Sequence, residues 1–427
     1  MKAFPSLCVL FLSVSSIFAA ETGTPAVPSS EIAQSINALG LDLYRVESGK
    51  PGNLLLSPYS IASALAMTCA GADGVTETEM QRVLHLSGDR DASGLALQAL
   101  AAEFDAMVAR SRKDAAYAAK HDRPFTPIQF SIANRIFPQS GFGLKPEFSA
   151  HLQKFFASTV SEQDFQQDPQ RARGTINAWV AAQTQGKITD LLPPGGVTNN
   201  TRLVLVNALY LRASWGEPFE AADTAPREFS PTVGEKFKVP TMHQHKRLGY
   251  ARGEGYAVVV LPYRDGELQF VLLVPDARDG LAEIERKLTP AVMAAWNQVD
   301  GHDVVLYLPK FTLKPPTLPL KDAMLTLGMK TAFDDPVGSA NFERIAPRRP
   351  NDYFYIDEVY HKTWLALDEA GTEAAAATAV SMFLAGSARD AAPPRPIEVH
   401  ADHPFLFAIQ HVPSGACLFL GRVVDPR

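Results

Sequence analysis

The sequence predicts one large α+β domain, and three observations carry that reading. Apolar residues recur at helical spacing in some segments and as short strand-like runs in others, the two kinds interleaved along the chain. No segment repeats and no linker divides the 427 residues, so a length that would allow two or three domains does not force a split. A content of 46% hydrophobic and 20% charged residues is ordinary for a globular protein, not for a disordered one.

The elements follow in order. Ser30 to Glu47 places Ile32, Ile36, Leu39, Leu43 and Val46 on one broad helical face. Leu54-Leu55-Leu56 is a short strand. Ser57 can cap a second helix running to Met67, with Pro58 in its first turn. Thr76 followed by Glu79 has the capping-box pattern for a third helix. An alanine-rich helix is expected from Leu95 to Ser111, and residues 112–127 are polar enough to read as a loop. Further strands are expected at Phe130–Phe137, Thr201–Leu211, Phe237–Tyr250, Tyr256–Pro262, Leu268–Pro275, Val304–Phe311 and Phe354–Asp368. Helices are expected at Pro146–Phe156, at Pro169–Thr184 and from Leu281. Phe405 to Val424 reads as two strands joined at Pro413-Ser414-Gly415.

Residues 1–20 have the pattern of a signal peptide: Lys2, a mostly apolar run from Phe4 to Phe18, then Ala19-Ala20 before Glu21. Phe18 fits poorly three residues before that cut, and an uncleaved but short membrane anchor is the alternative. Residues 21–30 read as a loose leader and 31–427 as the domain, exported to the periplasm or the exterior. Two cysteines then remain, Cys69 and Cys417, too few for a disulfide scaffold. They are expected as buried free thiols, with a single disulfide as the alternative. The formal net charge of -6, with both signs mixed and no basic block, argues against nucleic acid as a partner. His243, His245, His400 and His403 suggest no metal cluster, and no cofactor or metal is expected.

The unusual stretch is Glu369-Ala-Gly-Thr-Glu-Ala-Ala-Ala-Ala-Thr378, together with the residues from Ala379 to Pro396. The alanine run favours helix, while its Val, Thr and Phe neighbours favour strand. Pro393, Pro394 and Pro396 then bar regular structure. A small-residue loop before prolines can be grasped by a protease in extended form. Small side chains also let a segment slide between packed strands. An exposed Ala-rich surface helix and linker would look the same on this stretch alone.

The segment Glu369 to Thr378 closely resembles the reactive-loop hinge of inhibitory serpins, and the resemblance runs from about Ile32 to Pro426. It includes Ser57-Pro58-Tyr59-Ser60-Ile61 with Ala64-Leu65-Ala66-Met67, and Gly71-Ala72-Asp73-Gly74 with Thr76, Glu79 and Met80. It continues through Ile176-Asn177-Ala178-Trp179-Val180, Thr184-Gln185-Gly186-Lys187-Ile188, Leu203-Val204-Leu205-Val206-Asn207-Ala208 and Trp215. It ends with Val399 to Ile409, containing Asp402-His403-Pro404-Phe405. The resemblance implies a large five-stranded central sheet A, two smaller β-sheets, about eight or nine helices and a reactive-centre loop over about 369–398. It implies a monomeric, metastable, single-use inhibitor rather than an enzyme. A target serine protease attacks the loop, and the cut hinge enters sheet A before deacylation, leaving a 1:1 covalent complex. The nucleophile is the protease's own.

Residue roles carry over position by position. Gly371, Thr372, Glu373, Ala374, Ala375, Ala376, Ala377 and Thr378 match the hinge that begins after Glu369. Thr372 is its first inward side chain, and Glu373 falls on the solvent side by strand alternation. Trp215, Lys310 and Glu369 match the breach at the top of the sheet, with Lys310 and Glu369 as an ion pair. Ser57, Ser60, Asn207 and His361 match the shutter, a buried polar network controlling strand separation. Counting seventeen residues from Glu369 sets the reactive bond at Ala385–Gly386, which suits an elastase-like pocket. Met382, Phe383 and Leu384 could serve chymotrypsin-like or subtilisin-like enzymes, and Arg389 a trypsin-like one, because the loop is longer than the common pattern. The competing functions are a serpin-type inhibitor of cysteine proteases, a non-inhibitory carrier or chaperone-like serpin, and a protease. A non-inhibitory member would show a degraded hinge, and no nucleophile elbow supports a protease. The simple leader, without glycan-rich or disulfide-rich character, leans toward a bacterial export product.

Overall fold

The computed structural model describes residues 29–372 and 395–427. Among the described residues it holds nine α-helices and two hydrogen-bonded strand networks of nine and seven strands, the α+β architecture expected. The expected leader and its signal peptide lie outside these residues except at the boundary, where Ser29 and Ser30 already belong to the first helix, Ser29–Glu47.

The seven-stranded network positions the site. Its centre is Leu203–Ser214, whose first nine residues are all buried because both faces are covered. Gln129–Pro138 pairs antiparallel along one side of it. On the outer side of that strand, residues 158–163 add a fifth line through a parallel bridge at Gln139 and Gln163. On the other side of the centre, Glu358–Thr363 pairs in parallel, from Glu358 opposite Val204 to Thr363 opposite Leu209. The chain breaks register at Trp364 and resumes as Leu365–Asp368, which pairs not with the centre but with Phe311–Leu313 at the edge. Into the space so opened comes Gly371–Thr372, antiparallel to both neighbours.

The two smaller sheets of the expectation form one continuous nine-stranded network, ordered from Leu54–Leu56 through the C-terminal pair Cys417–Val423 and Phe405–His411 to Ile397–His400 at the far edge. An aromatic column ties the two networks. Trp215 meets Phe270 edge-on at 5.7 Å, Phe270 stacks on Phe407 at 5.3 Å, and Phe407 meets Phe311 at 5.5 Å. The helix Pro58–Cys69 is buried on every face; its polar members are satisfied there, Ser63 Oγ donating to Tyr59 O and Thr68 Oγ1 to Ala64 O. Ser57 caps it, accepting from Ser60 N. On the outer face of the seven-stranded network, Ile176 and Val180 of the helix Pro169–Gln183 pack in one cluster with Val204, Val206, Ala208 and Tyr360.

Several expected boundaries move. The fourth helix runs from Arg90 to Ala119, so residues 112–119 are helix and not loop. Asp89 caps it, Ser111 and Ala115 are buried, and its last turns are rich in alanine, which loses no side-chain entropy in a helix. The Thr76–Glu79 capping box does not form. Asp73 caps the third helix instead, Thr76 Oγ1 accepts from Asn341 N, and Glu79 accepts from Lys330 N and Thr331 N. The single strand expected at Val304–Phe311 splits into Gly301–Pro309 and Phe311–Leu313, leaving Lys310 between two networks. Likewise residues 354–357 stay outside the strand that begins at Glu358. Cys69 and Cys417 are both free and buried, and burial raises the pKa of each thiol.

Arg422, in the strand Cys417–Val423, is 7% exposed. Its guanidinium donates to the carbonyls of Gly52 and Ser48 and to Glu285 at 2.9–3.0 Å, and to Lys50 O. Glu285 also accepts from Tyr44 Oη. Arg422→Met would leave Glu285 without its cation and is expected to destabilise the native state by about 3 kcal/mol or more. The first denaturant unfolding transition of the purified variant checks this.

Candidate functional site: a sheet open at one end and latched at the other

The parallel pair at the middle of the sheet is closed by polar side chains. Asn134, Asn207 and His361 stand in one register row across three adjacent strands. Asn207 Nδ2 donates to Asn134 Oδ1 at 2.9 Å and to Ser60 Oγ at 2.7 Å. Ser60 Oγ in turn donates to Asn134 Oδ1 at 3.0 Å, and Asn134 Nδ2 donates to Ser60 O. His361 Nε2 accepts from Ser57 N at 3.1 Å, which leaves Nδ1 to carry the proton and donate to Asn207 Oδ1. Thr363 adds a bond to Leu55 O. All four residues expected at the shutter are therefore brought together, over the N-terminus of the helix Pro58–Cys69. Asn134 was not anticipated. Its signal was available: it falls in phase with Ile132 and Ile136 on one face of its strand, a polar residue at an apolar position.

Burial lowers the His361 pKa to about 3, so the imidazole is neutral in the closed sheet, as its acceptor role at Nε2 requires.

The other end of the sheet is held by ionic and aromatic contacts. Lys310 Nζ lies 2.7 Å from Glu369 Oε2, and Glu369 Oε1 accepts from Thr224 Oγ1 at 2.8 Å. Burial raises the Glu369 pKa, but the hydrogen bonds from Lys310 and Thr224 outweigh it and hold the carboxyl below its ordinary range. Asp368 accepts from Ala370 N and Gly371 N, turning the chain back into the sheet. Trp215 lies beneath this turn. Its Nε1 donates to Asp368 O at 2.9 Å, its backbone N to Ala370 O, and its ring stacks on Tyr263 at 4.7 Å. Thr224, Asp368 and Tyr263 come from separate segments with no shared motif, which is why the sequence did not single them out.

Gly371 has φ +150°, and a Cβ there would lie 2.1 Å from Ala213 O. Only glycine allows the backbone that close. Thr372 comes next, with no exposed surface. Glu373, Ala374, Ala375, Ala376, Ala377 and Thr378 lie outside the described residues, as do Met382, Phe383, Leu384, Ala385, Gly386 and Arg389. The chain returns at Arg395 and forms the strand Ile397–His400, parallel to Gly301–Pro309. The four histidines considered for metal are not gathered. His243 and His400 stack on opposite sides of Tyr307, His245 pairs with Asp303, and His403 pairs with Asp402.

The family described as Serpin (serine protease inhibitor) matches residues 34–426. The leukocyte elastase inhibitor of Bos taurus is 35% identical over 399 residues, covering 91% of this chain and 97% of that protein. An uncharacterized serpin-like protein of Thermococcus kodakarensis is 32% identical, over 93% of this chain and 86% of its own length. The crystal structure of a highly specific serpin of the insect Tenebrio molitor superposes with a TM-score of 0.77 at 27% identity, covering 93% of this chain and 98% of that one. Uncleaved ovalbumin superposes with a TM-score of 0.76 at 25% identity, over 92% of this chain and 100% of its own. The family is thus shown both by sequence and by fold. The chain belongs to the serpin family.

The geometry has two measurable consequences. Between pH 6.5 and pH 3 the unfolded chain takes up a proton at His361 that the native state refuses. Native stability is therefore full above about pH 6.5 and falls as pH drops toward 3. In His361→Gln the stability difference between pH 7.5 and pH 4.5 should shrink by about 3 kcal/mol, read from denaturation at both pH values. At the other end, Glu369→Lys places two cations together and should increase oligomer formation on mild heating. An unchanged monomer peak in size-exclusion chromatography would count against the pair's closing role.

Proposed function

We propose that the chain is a single-use inhibitor of serine endopeptidases that traps its target by inserting its cut loop between Leu203–Ser214 and Glu358–Thr363. The observation that carries this is the hinge itself: Gly371–Thr372 already pairs with both neighbours at the mouth of the sheet. Continuing inward from Thr372 by alternation, the sequence presents Ala374, Ala376 and Thr378 to the interior, all small, and Glu373 to the outside. No bulky or charged side chain opposes entry at those positions.

The energetics have the right sign. An inserted strand is antiparallel to both partners, so one parallel ladder is replaced by two antiparallel ones, and parallel pairing is the less stable per residue. Each added backbone bond contributes about 1 kcal/mol net, so a strand of ordinary length gains several kcal/mol before side-chain burial is counted. The serpin supplies no catalytic group. Attack by the protease serine on the loop carbonyl gives an acyl-enzyme and frees the new amine terminus. Insertion then carries the acylated enzyme away before water completes hydrolysis, a race decided by a barrier rather than by equilibrium stability.

For the bait, Ala385–Gly386 is the bond we assign, with Ala385 entering a small, elastase-like pocket. The leukocyte elastase inhibitors among the relatives support that class of target. The product is a monomer that forms a 1:1 covalent complex. We further read residues 1–20 as a signal for export to the periplasm or beyond.

Mixing the mature protein with pancreatic or neutrophil elastase should give a band stable to denaturant on gel electrophoresis. Mass spectrometry should find a released C-terminal fragment beginning at Gly386. Clean cleavage without a complex, by elastase and by chymotrypsin-like and trypsin-like enzymes alike, would overturn the reading. Thr372→Arg should abolish the complex while leaving the loop cleavable, because a charged side chain would have to enter a fully buried position. An undiminished yield of complex in that variant would rule out insertion at this hinge.

A further inference from the structure

We propose that Tyr263 is the positioning residue for hinge entry: its buried hydroxyl seats Thr372 and so fixes where the hinge rests before any protease arrives. The proposal rests on the trapping function above and assigns a residue to its first step.

Tyr263 lies just after the strand Tyr256–Pro262, and its ring cannot swing freely. Its backbone N donates to Leu268 O at 2.9 Å, a bridge pairs it with Trp215, and its ring lies 17° from parallel with the Trp215 indole. The ring is 1% exposed and Thr372 is 0% exposed. Tyr263 Oη and Thr372 Oγ1 are 2.5 Å apart, and neither has another hydrogen-bond partner among the described residues. Burial raises the phenol pKa well above its ordinary value, so a neutral hydroxyl waits there at any physiological pH.

A buried hydroxyl without a partner is costly, whereas removing both members of such a pair is nearly neutral. The mouth of the sheet therefore asks for a particular side chain at the first inward hinge position. Threonine meets the Tyr263 hydroxyl; valine, with the same outline, cannot. Gly371 brings the backbone within reach by its close approach to Ala213 O. Asp368 and Glu369 hold the turn that precedes it, but they fix only the chain's entry angle. Tyr263 is the side chain that meets the hinge inside the sheet, and it selects by chemistry rather than by size.

The test is a double-mutant cycle with a readout that needs no protease. Tyr263→Phe keeps the ring stack on Trp215 and deletes the hydroxyl. Thr372→Val keeps the shape and deletes the partner. Hydrogen exchange, followed by mass spectrometry on the peptide reaching Thr372, should be about tenfold faster in each single variant. In Tyr263→Phe/Thr372→Val it should return to within about twofold of the parent, and Thr372→Ser should match the parent throughout. The fraction of loop cleaved without complex formation should rise and fall in the same order. Additive effects in the double variant, or single variants that exchange like the parent, would overturn the proposal. Failure of the parent protein to trap any protease would remove the function proposed above, while the exchange data would still decide whether Tyr263 seats the hinge.

Discussion

The structure depends on one short parallel ladder, Glu358–Thr363 against Val204–Leu209, staying shut. Parallel pairing is the weaker kind, and here it is reinforced at a single row by Asn207 and His361. That row reaches through Ser60 and Ser57 into the buried helix Pro58–Cys69, so parting the strands also disturbs the packing behind them. The helix Pro169–Gln183 lies over the outer face of the same strands. Most of the core is conventional and dense. The place where it can yield is narrow, polar and placed between the two strands that an extra strand would join.

The two ends of this seam use different physics. At the closure every polar group is satisfied by a neutral neighbour in the interior, which gives sharp geometry and sensitivity to protonation. At the mouth a half-exposed lysine meets a mostly buried carboxylate. Coulomb attraction there is moderated by water, so its role is to orient the turn rather than to supply most of the stability. Beneath it, the column from Trp215 through Phe270 and Phe407 to Phe311 ties the mouth to the second network. A change at the mouth is therefore felt in both sheets.

Much of the fold was legible because its signals are local. Thr201–Leu211 reads as an apolar strand, whose central place came only from the resemblance, and Ser57-Pro58 reads as a helix start. The extension of the fourth helix through Ala119 was missed because charged and polar residues there masked an alanine-rich segment with a buried stripe at Ser111 and Ala115. The Thr76–Glu79 pattern misled because both side chains are engaged by residues 330–341, more than 250 positions away. At the site, the resemblance supplied Asn207, His361, Ser57 and Ser60, which the structure gathers in one network. Asn134 was passed over although it interrupts the apolar face of Ile132 and Ile136, whereas Thr224 and Tyr263 make contacts that form only in three dimensions. The bait residues, from Met382 to Arg389, were singled out from the sequence and lie outside the described residues.

The gap between the two ladders has a mechanical meaning. Strand pairing stops at Leu209 opposite Thr363 and resumes at Ala213 opposite Thr372, so the two long strands already diverge above the closure. In the language of fracture, Thr372 is a wedge resting in the mouth of a crack whose tip is Leu209–Thr363. A wedge already in place spares the process its nucleation step, because the first bonds of the new ladder exist before the loop is cut. Opening then proceeds by propagation, bond by bond, with Asn207–His361 two residues ahead of the tip as the first tough point in the material.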